Sequence, residues 1–166
     1  MIIATWNIGG GFITNNNDLT FDTEDITYFV NELKKIDPDI VCFQEIHTDK
    51  TSNQAFDIAK ALNIPFVKSI DVSDSHLKPK TNLALAIISK HPILSSNYIK
   101  ISNPNLTATW RDTTIYSHEK GFLKTNISYN NSSINILSGD MIPYHIFNKS
   151  FLDNDFLHIR KEVEHI

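Results

Sequence analysis

The sequence has a single cysteine, Cys42, so it cannot form an internal disulfide bond. Cys42 lies in an apolar segment, where a free cysteine usually packs as a small hydrophobic side chain. The chain therefore carries no positive sign of an oxidising compartment. It also lacks an apolar stretch long enough to span a membrane, and Met1 leads into an apolar segment without a basic region or a cleavage site. These absences predict a cytoplasmic protein with neither a membrane span nor a signal peptide.

An excess of positive charge is missing as well. The formal net charge is −4, with 15 Lys and Arg against 19 Asp and Glu. This balance excludes a polycationic nucleic-acid-binding protein, so any contact with DNA or RNA must be local. A nuclease is not excluded, because a bound divalent cation offsets the repulsion between carboxylates and phosphate. The 166 residues, 41% of them hydrophobic, suit one domain over residues 1–166 with a core of its own.

The hydrophobic pattern predicts strands and helices in alternation. Apolar runs predict strands at 1–8, 40–44, 64–67 and 83–89, and apolar residues at helical spacing predict helices at about 23–36, 53–62 and within 148–166. An edge strand is expected at 97–101 and a hairpin at 121–129 and 133–138, while 71–81 and 102–114 are expected to be irregular. The hairpin turn is expected at Asn130-Asn131-Ser132. This order is typical of an α+β or mixed α/β fold.

Two of the predicted strands end in polar side chains. The apolar run 40–43 leads into Gln44 and Glu45, and the first strand ends in Asn7. In open α/β sheets, ligands bind at the carboxyl ends of strands. By itself Glu45 is equally compatible with a strand-end residue that reaches solvent. Asn7 and Glu45 together favour a site that holds a cation or a phosphate group.

The segments ATWNI at 4–8 and PDIVCFQEI at 38–46 resemble motifs of the endonuclease/exonuclease/phosphatase superfamily, and NLALAIISKHPI at 82–93 is similar to a structural strand of that family. These magnesium-dependent phosphoesterases include deoxyribonuclease I, abasic-site endonucleases, sphingomyelinases and inositol-polyphosphate phosphatases. The resemblance implies a deoxyribonuclease I-like α/β sandwich of two mixed sheets flanked by helices. It also implies Mg²⁺ or Mn²⁺ as cofactor, with Glu45 and Asn7 in the metal and phosphate site.

The sequence departs from the family at Asp140. KGFLKTNI at 120–127 and IPYHIF at 142–147 match the surroundings of a family histidine that contacts the scissile phosphate, but the position itself holds Asp140. An ionised Asp repels phosphate, although it can bind a cation. Asp140 therefore disables the site, changes its metal content, or was introduced to keep substrate uncleaved. Alternatively, Gly139-Asp140 corresponds to the family's later Gly-Asp-x-Asn motif, in which case Ile142 stands where Asn is expected.

Other polar residues near these motifs carry weaker signals. His145 follows the Asp140 segment and is a candidate for reaching phosphate. Arg111 and Lys120 could also reach phosphate, but as lone basic residues of loops they are interpreted as solvated. His118, His158 and His165 are interpreted as surface or packing residues. The run Gly9-Gly10-Gly11 is interpreted as a flexible connection.

The Gly-Asp-x-Asn and Ser-Asp-His motifs of the family's second half are not found, so the resemblance covers about the first half of the family's domain and implies a truncated fold. Two functions remain open. The first is a metal-dependent phosphodiester hydrolase, acting on nucleic acid or another phosphodiester, with Asn7, Glu45, Asp140 and His145 at its site. The second is a catalytically inactive fragment that serves as a binding module, or as half of an assembly in which a second chain completes the fold.

Overall fold

The structure is a computed structural model that describes residues 1–14, 22–110 and 112–166. The strands are β1 (Ile3–Asn7), β2 (Phe12–Ile13), β3 (Thr23–Glu24), β4 (Ile40–Thr48), β5 (Phe66–Asp74), β6 (Asn82–Ser89), β7 (Ile93–Ile101), β8 (Thr107–Trp110), β9 (Thr113–Tyr116), β10 (Lys120–Tyr129) and β11 (Ser132–Asp140). The α-helices are α1 (Ile26–Ile36), α2 (Gln54–Leu62) and α3 (Leu157–Glu164). Short 3-10 segments lie at Gly9–Gly11, Tyr144–Phe147 and Asn154–Phe156.

Two sheets form the framework. The first has the order β1-β4-β6-β5, with β1 and β4 parallel and the other pairs antiparallel. The second has the order β11-β10-β7 and is antiparallel. Two small hairpins, β2–β3 and β8–β9, stand apart from them.

The first sheet is buried on both faces. Helices α1 and α2 cover one face, where Phe29 and Leu33 pack against Phe43. The second sheet covers the other face, where Cys42 and Leu123 belong to one buried cluster. A strand buried on both faces needs a continuous apolar run, which is what residues 40–43 provide. The prediction of an α+β sandwich of two sheets flanked by helices is confirmed, with the second sheet antiparallel and the first sheet mixed.

The two sheets are stacked so that one side of the sandwich holds an edge strand from each. Strand β11 contacts β4 and β6, whereas β7 contacts β5 at the opposite side. Strands β1 and β11 are therefore neighbouring edges. Apolar side chains are exposed on both, with Ile3 at 46% and Leu137 at 47%.

Capping side chains define the two long helices. Helix α1 begins at Ile26 rather than near residue 23, because the Asp25 carboxylate accepts a hydrogen bond of 3.1 Å from the Tyr28 N–H. Helix α2 begins after Asn53, which accepts from the Ala55 N–H, and ends at Asn63 in the left-handed region. The prediction for α2 is thus confirmed within one residue.

Several predicted boundaries are wrong. Strand β4 extends to Thr48, past the predicted end at 44, because its buried polar side chains have hydrogen-bond partners: Thr48 Oγ1 donates to Asp71 Oδ1 at 2.6 Å. The expected loop at 71–81 begins inside β5, and the expected irregular stretch at 102–114 contains β8 and part of β9. The last helix is short, Leu157–Glu164, and no helix of the described residues has the length and apolar character needed to cross a bilayer.

The hairpin between β10 and β11 has its turn at the predicted position. Asn130 and Asn131 have φ values of 48° and 61°, and Tyr129 pairs with Ser132. Two consecutive residues with positive φ match the right-handed twist of a hairpin, and Asn tolerates that conformation better than most side chains. The predicted Asn-rich turn is therefore confirmed.

Candidate functional site

The candidate site is organised around the buried ammonium group of Lys120. Its Nζ lies 3.1 Å from Glu45 Oε1 and also donates a hydrogen bond to Asp140 Oδ2. Lys120 is only 7% exposed, and the side chains of Glu45 and Asp140 are 19% and 20% exposed. Such a partly desolvated group of three charges interacts more strongly than an ion pair on the surface.

The strand geometry explains how Lys120 and Asp140 meet. Lys120 is the first residue of β10, Asp140 is the last residue of β11, and Gly121 pairs with Asp140 across this end of the hairpin. Lys120 thus directly precedes the residue paired with Asp140, and its long side chain spans this distance to the Asp140 carboxylate.

Glu45 reaches the same point because β4 contains a β-bulge. Phe43 pairs with Ala86, and the next pair joins Ile46 to Ala84, so two residues of β4 oppose one residue of β6. Glu45 has a φ of 55°, in the left-handed region that non-glycine residues seldom adopt. A bulge re-aims a side chain without ending the strand, and here it directs Glu45 toward the second sheet.

Asn7 joins this group from the end of β1. It pairs with Gln44 across the parallel strands, and its Oδ1 accepts a hydrogen bond of 3.0 Å from the Gly9 N–H. The Asn7 amide also lies close enough to the Glu45 carboxylate to help lower its pKa. The structure thus brings together Asn7, Glu45 and Asp140, which the sequence assigned to one site from separate motifs.

The three charged groups shift one another's pKa values. Burial alone would raise the pKa of Glu45, but the Lys120 ammonium and hydrogen bonds from Lys120 and Asn7 outweigh it and lower that pKa. Burial together with the charge of Glu45 raises the pKa of Asp140, although Lys120 opposes the shift. Burial works against the charged form of Lys120, yet Asp140 and Glu45 raise its pKa above the ordinary value. Two carboxylates thus share one ammonium.

A cleft of about 690 Å³ opens beside Asn7 and Glu45. Its wall is mainly apolar and aromatic and includes Trp6, Ile8, Phe12, Ile13, Tyr28, Phe29 and Leu77. The Trp6 ring meets that of Phe29 edge-on at 4.9 Å between centroids, and that of Tyr28 at 6.4 Å. The cleft thus combines an aromatic wall with a polar end.

His76 also lines this cleft and stacks on His118, with 4.9 Å between the ring centroids. Desolvation lowers the pKa of both imidazoles. No sequence pattern singles out His76, because it lies in a polar segment without periodicity. The stacked pair forms only through the tertiary fold. The interpretation of His118 as a packing residue agrees with this contact.

The remaining sequence predictions have mixed outcomes. Lys120 was expected to be solvated in a loop, and this is wrong, since it is buried at the start of β10. His145 lies exposed in the 3-10 segment Tyr144–Phe147, and within the described part of the chain it is not among the residues that line the cleft. Arg111 lies outside the described residues. The Gly9–Gly11 run is a 3-10 turn in which Gly10 and Gly11 are buried, rather than a flexible connection.

The donor set suits a hard divalent cation. Carboxylate and amide oxygens, as in Glu45, Asp140 and Asn7, are what Mg²⁺ prefers, and Mg²⁺ keeps several waters, so two carboxylates can suffice. Within residues 1–14, 22–110 and 112–166, no three carboxylate, imidazole or thiol groups converge. The residues therefore fit a hydrated ion, with the Lys120 ammonium as the cation already present between the carboxylates.

Comparison with known proteins gives a consistent picture. The sequence profile of the Endonuclease/Exonuclease/phosphatase family matches residues 4–140. Among solved structures, an endonuclease/exonuclease/phosphatase from Beutenbergia cavernae DSM 12333 is similar, with a TM-score of 0.69, 13% identity, and coverage of 98% of this chain and 43% of that one. An endonuclease/exonuclease/phosphatase family protein from Leptotrichia buccalis C-1013-b has a TM-score of 0.58, 17% identity, and coverage of 84% and 54%.

At these identities the two structures establish a shared fold alone. This chain spans 43% and 54% of their lengths. No curated protein matches the sequence. The profile match nevertheless extends from β1 to the end of β11 and takes in every residue of the Lys120 group. The chain therefore belongs to the endonuclease/exonuclease/phosphatase family.

Proposed function

We propose that this protein acts as a metal-dependent phosphodiester hydrolase, with Asn7, Glu45 and Asp140 as its metal- and phosphate-binding residues. The observation that supports this proposal is the convergence of the three side chains from β1, the bulge of β4 and the end of β11. Two carboxylates directed at one point repel each other unless a cation lies between them, as Lys120 Nζ does here, and the same oxygens suit a divalent cation.

In this proposal Glu45 and Asp140 hold the divalent cation, Mg²⁺ or Mn²⁺, and Asn7 orients the Glu45 carboxylate through its amide. When bound, such a cation neutralises charge that develops on the phosphate and lowers the pKa of a coordinated water. Asp140 serves as a cation ligand, since an ionised carboxylate repels phosphate. Among the three interpretations of Asp140 given above, we adopt the one in which Asp140 changes the metal content of the site.

The cleft supports nucleic acid as the phosphodiester substrate. Bases stack on aromatic side chains without strong sequence preference, and Trp6 and Tyr28 line the cleft that begins at Glu45. Within the described structure, His76 lines the same cleft, whereas His145 does not, which makes His76 the better candidate for donating a hydrogen bond to a phosphate oxygen.

The test is titration calorimetry with Mn²⁺, followed by hydrolysis of a single-stranded oligonucleotide and of bis(p-nitrophenyl) phosphate. Glu45→Gln and Asp140→Asn are each expected to weaken Mn²⁺ binding at least about tenfold, because a neutral amide is a poorer ligand than a carboxylate. Glu32→Gln on α1 is the matched control and is expected to leave binding unchanged. Unchanged binding in Glu45→Gln would overturn the assignment of Glu45.

A second candidate function follows from the open side of the sandwich. Among the strands that the structure describes, β1 and β11 each pair on one side only and lie at adjacent edges, with Ile3 and Leu137 exposed. The matched part of this chain covers 43% and 54% of the two similar structures. We propose that a second chain adds a strand to each edge, by the hydrogen bonding that edge strands offer. In this alternative the chain is inactive by itself and works as half of a two-chain assembly or as a binding module.

Light scattering and hydrogen exchange test this alternative. We expect a complex heavier than the 18.9 kDa of one chain, in which the β1 and β11 amides exchange more slowly than in the isolated chain. A monomer whose edge amides exchange at the same rate in the presence of cell extract would contradict it.

A further inference from the structure

We propose that Lys120 is an internal cation that occupies the place of the divalent metal ion and leaves that place when the metal binds. This inference rests on the proposed function, because it concerns the same carboxylates. It goes further by making metal loading an exchange of one cation for another, instead of the filling of an empty site.

The contacts of Lys120 support the exchange. Its Nζ donates to Glu45 Oε1 and Asp140 Oδ2, the oxygens that are offered to the metal. Lys120 is 7% exposed, so little water is present to replace these two carboxylates as partners of the ammonium. A metal ion bound by both carboxylates would therefore take the position of Nζ.

Two cations cannot occupy this point together. Like charges a few ångströms apart in a partly buried setting repel each other strongly. Lysine is suited to leaving, because its compact charge is carried on a flexible four-carbon stem. Nζ can thus swing away while the backbone of Lys120 stays paired with Ile101 in the second sheet.

A purely structural role makes a different prediction. If Lys120 only neutralises the carboxylates for folding, its loss lowers stability and leaves the affinity for metal unchanged or weaker. If it competes with the metal, its loss lowers stability without metal but raises the affinity for metal. Metal affinity therefore separates the two roles, whereas stability alone does not.

The experiment compares Mn²⁺ affinity in the wild type, Lys120→Met and Lys124→Met by titration calorimetry. Lys124 is the matched control, because it lies on the same strand, is exposed, and changes the net charge equally. We expect Lys120→Met to bind Mn²⁺ at least about tenfold more tightly than the wild type, since the competing state is removed. Lys124→Met should match the wild type. Equal or weaker binding in Lys120→Met overturns the proposal.

A measurement on the wild type keeps the proposal testable if Lys120→Met does not fold. A buried, hydrogen-bonded ammonium exchanges its protons slowly enough for its ¹⁵N signal to be observed, and we expect one such signal for Lys120 at low temperature. Addition of Mg²⁺ should abolish this signal as Nζ enters solvent. A signal that persists at saturating Mg²⁺ contradicts the exchange.

The double variant Glu45→Gln/Lys120→Met separates this inference from the proposed function. If it loses the tight Mn²⁺ binding of Lys120→Met, both proposals stand. If it keeps that binding, the metal lies elsewhere, and both proposals fail at Glu45. If the wild type and Lys120→Met bind equally while Glu45→Gln binds more weakly, only the role of Lys120 is overturned.

Discussion

Gln44 Nε2 donates a hydrogen bond of 2.9 Å to Ser138 Oγ and thereby joins the middle of the first sheet to the edge strand of the second. Both residues are buried, at 8% and 2% exposure. Gln44 directly precedes Glu45 in β4, and Ser138 lies two residues before Asp140 in β11. The bond therefore helps to fix the separation at which the two carboxylates meet.

We expect Gln44→Ala and Ser138→Ala each to lower the free energy of unfolding by about 1 kcal/mol, because each removes this hydrogen bond from a buried polar group. Urea denaturation measures the effect. The double variant should be less destabilised than the sum of the two single variants, as is usual for residues in contact. Simple additivity would show that the hydrogen bond does not couple the sheets.

The left-handed backbone of Glu45 lowers the stability of the fold, whereas its carboxylate is needed for metal binding. At a φ of 55°, glycine avoids the steric penalty that any other residue bears. Glu45→Gly is therefore expected to be more stable than Glu45→Ala by about 1 kcal/mol. Both variants should lose Mn²⁺ affinity equally. Thermal unfolding and calorimetry on this pair separate the backbone effect from the loss of the carboxylate.

The glycine turn offers another matched pair. A Cβ at Gly10 would overlap the imidazole of His47, whereas a Cβ at Gly9 meets no atom of the described structure within 4 Å. Both glycines have positive φ, at 50° for Gly9 and 69° for Gly10. Gly10→Ala is expected to lower the free energy of unfolding by roughly 3 kcal/mol, and Gly9→Ala by about 1 kcal/mol. Equal losses in urea denaturation would mean that the turn moves away from His47.

Cys42 makes stability depend on alkaline pH. Burial raises the pKa of its thiol to about 11, above the value of an exposed thiol. Because the folded state holds this proton more tightly than the unfolded chain, the contribution to stability is full below the unfolded pKa and is lost as the pH rises toward 11. Between about pH 8 and about pH 10, the free energy of unfolding should fall by about 1 kcal/mol more for the wild type than for Cys42→Ala. If urea denaturation shows the same loss of unfolding free energy for the wild type and Cys42→Ala, the thiol ionises as readily in the folded protein as in the unfolded chain.

The parts of the fold that local chemistry decides were predictable. The caps of α2 and the Asn130-Asn131 turn depend on residues adjacent in sequence, and the apolar run of β4 identified the core strand. The extension of β4 to Thr48 was not predictable, since its polar residues resemble a loop until Gln54 and Asp71 are seen to pair with them.

The residues of the site also divide into those that sequence motifs identify and those that only the fold reveals. Asn7, Glu45 and Asp140 were identified through motifs, and the fold brings them together. The burial of Lys120 depends on the pairing of β10 with β11 and on the bulge at Glu45, which no local pattern encodes. His76 likewise becomes relevant only because the fold stacks it on His118.

The bulge in β4 also affects how the site moves. Glu45 is carried by a hydrogen-bonded strand that is covered on both faces, not by a loop. Segments of this kind open only in fluctuations close to complete unfolding, whereas surface loops open readily. The position of this carboxylate is therefore insulated from loop motion, so the loops around the cleft can change in sequence and length while Glu45 keeps its place.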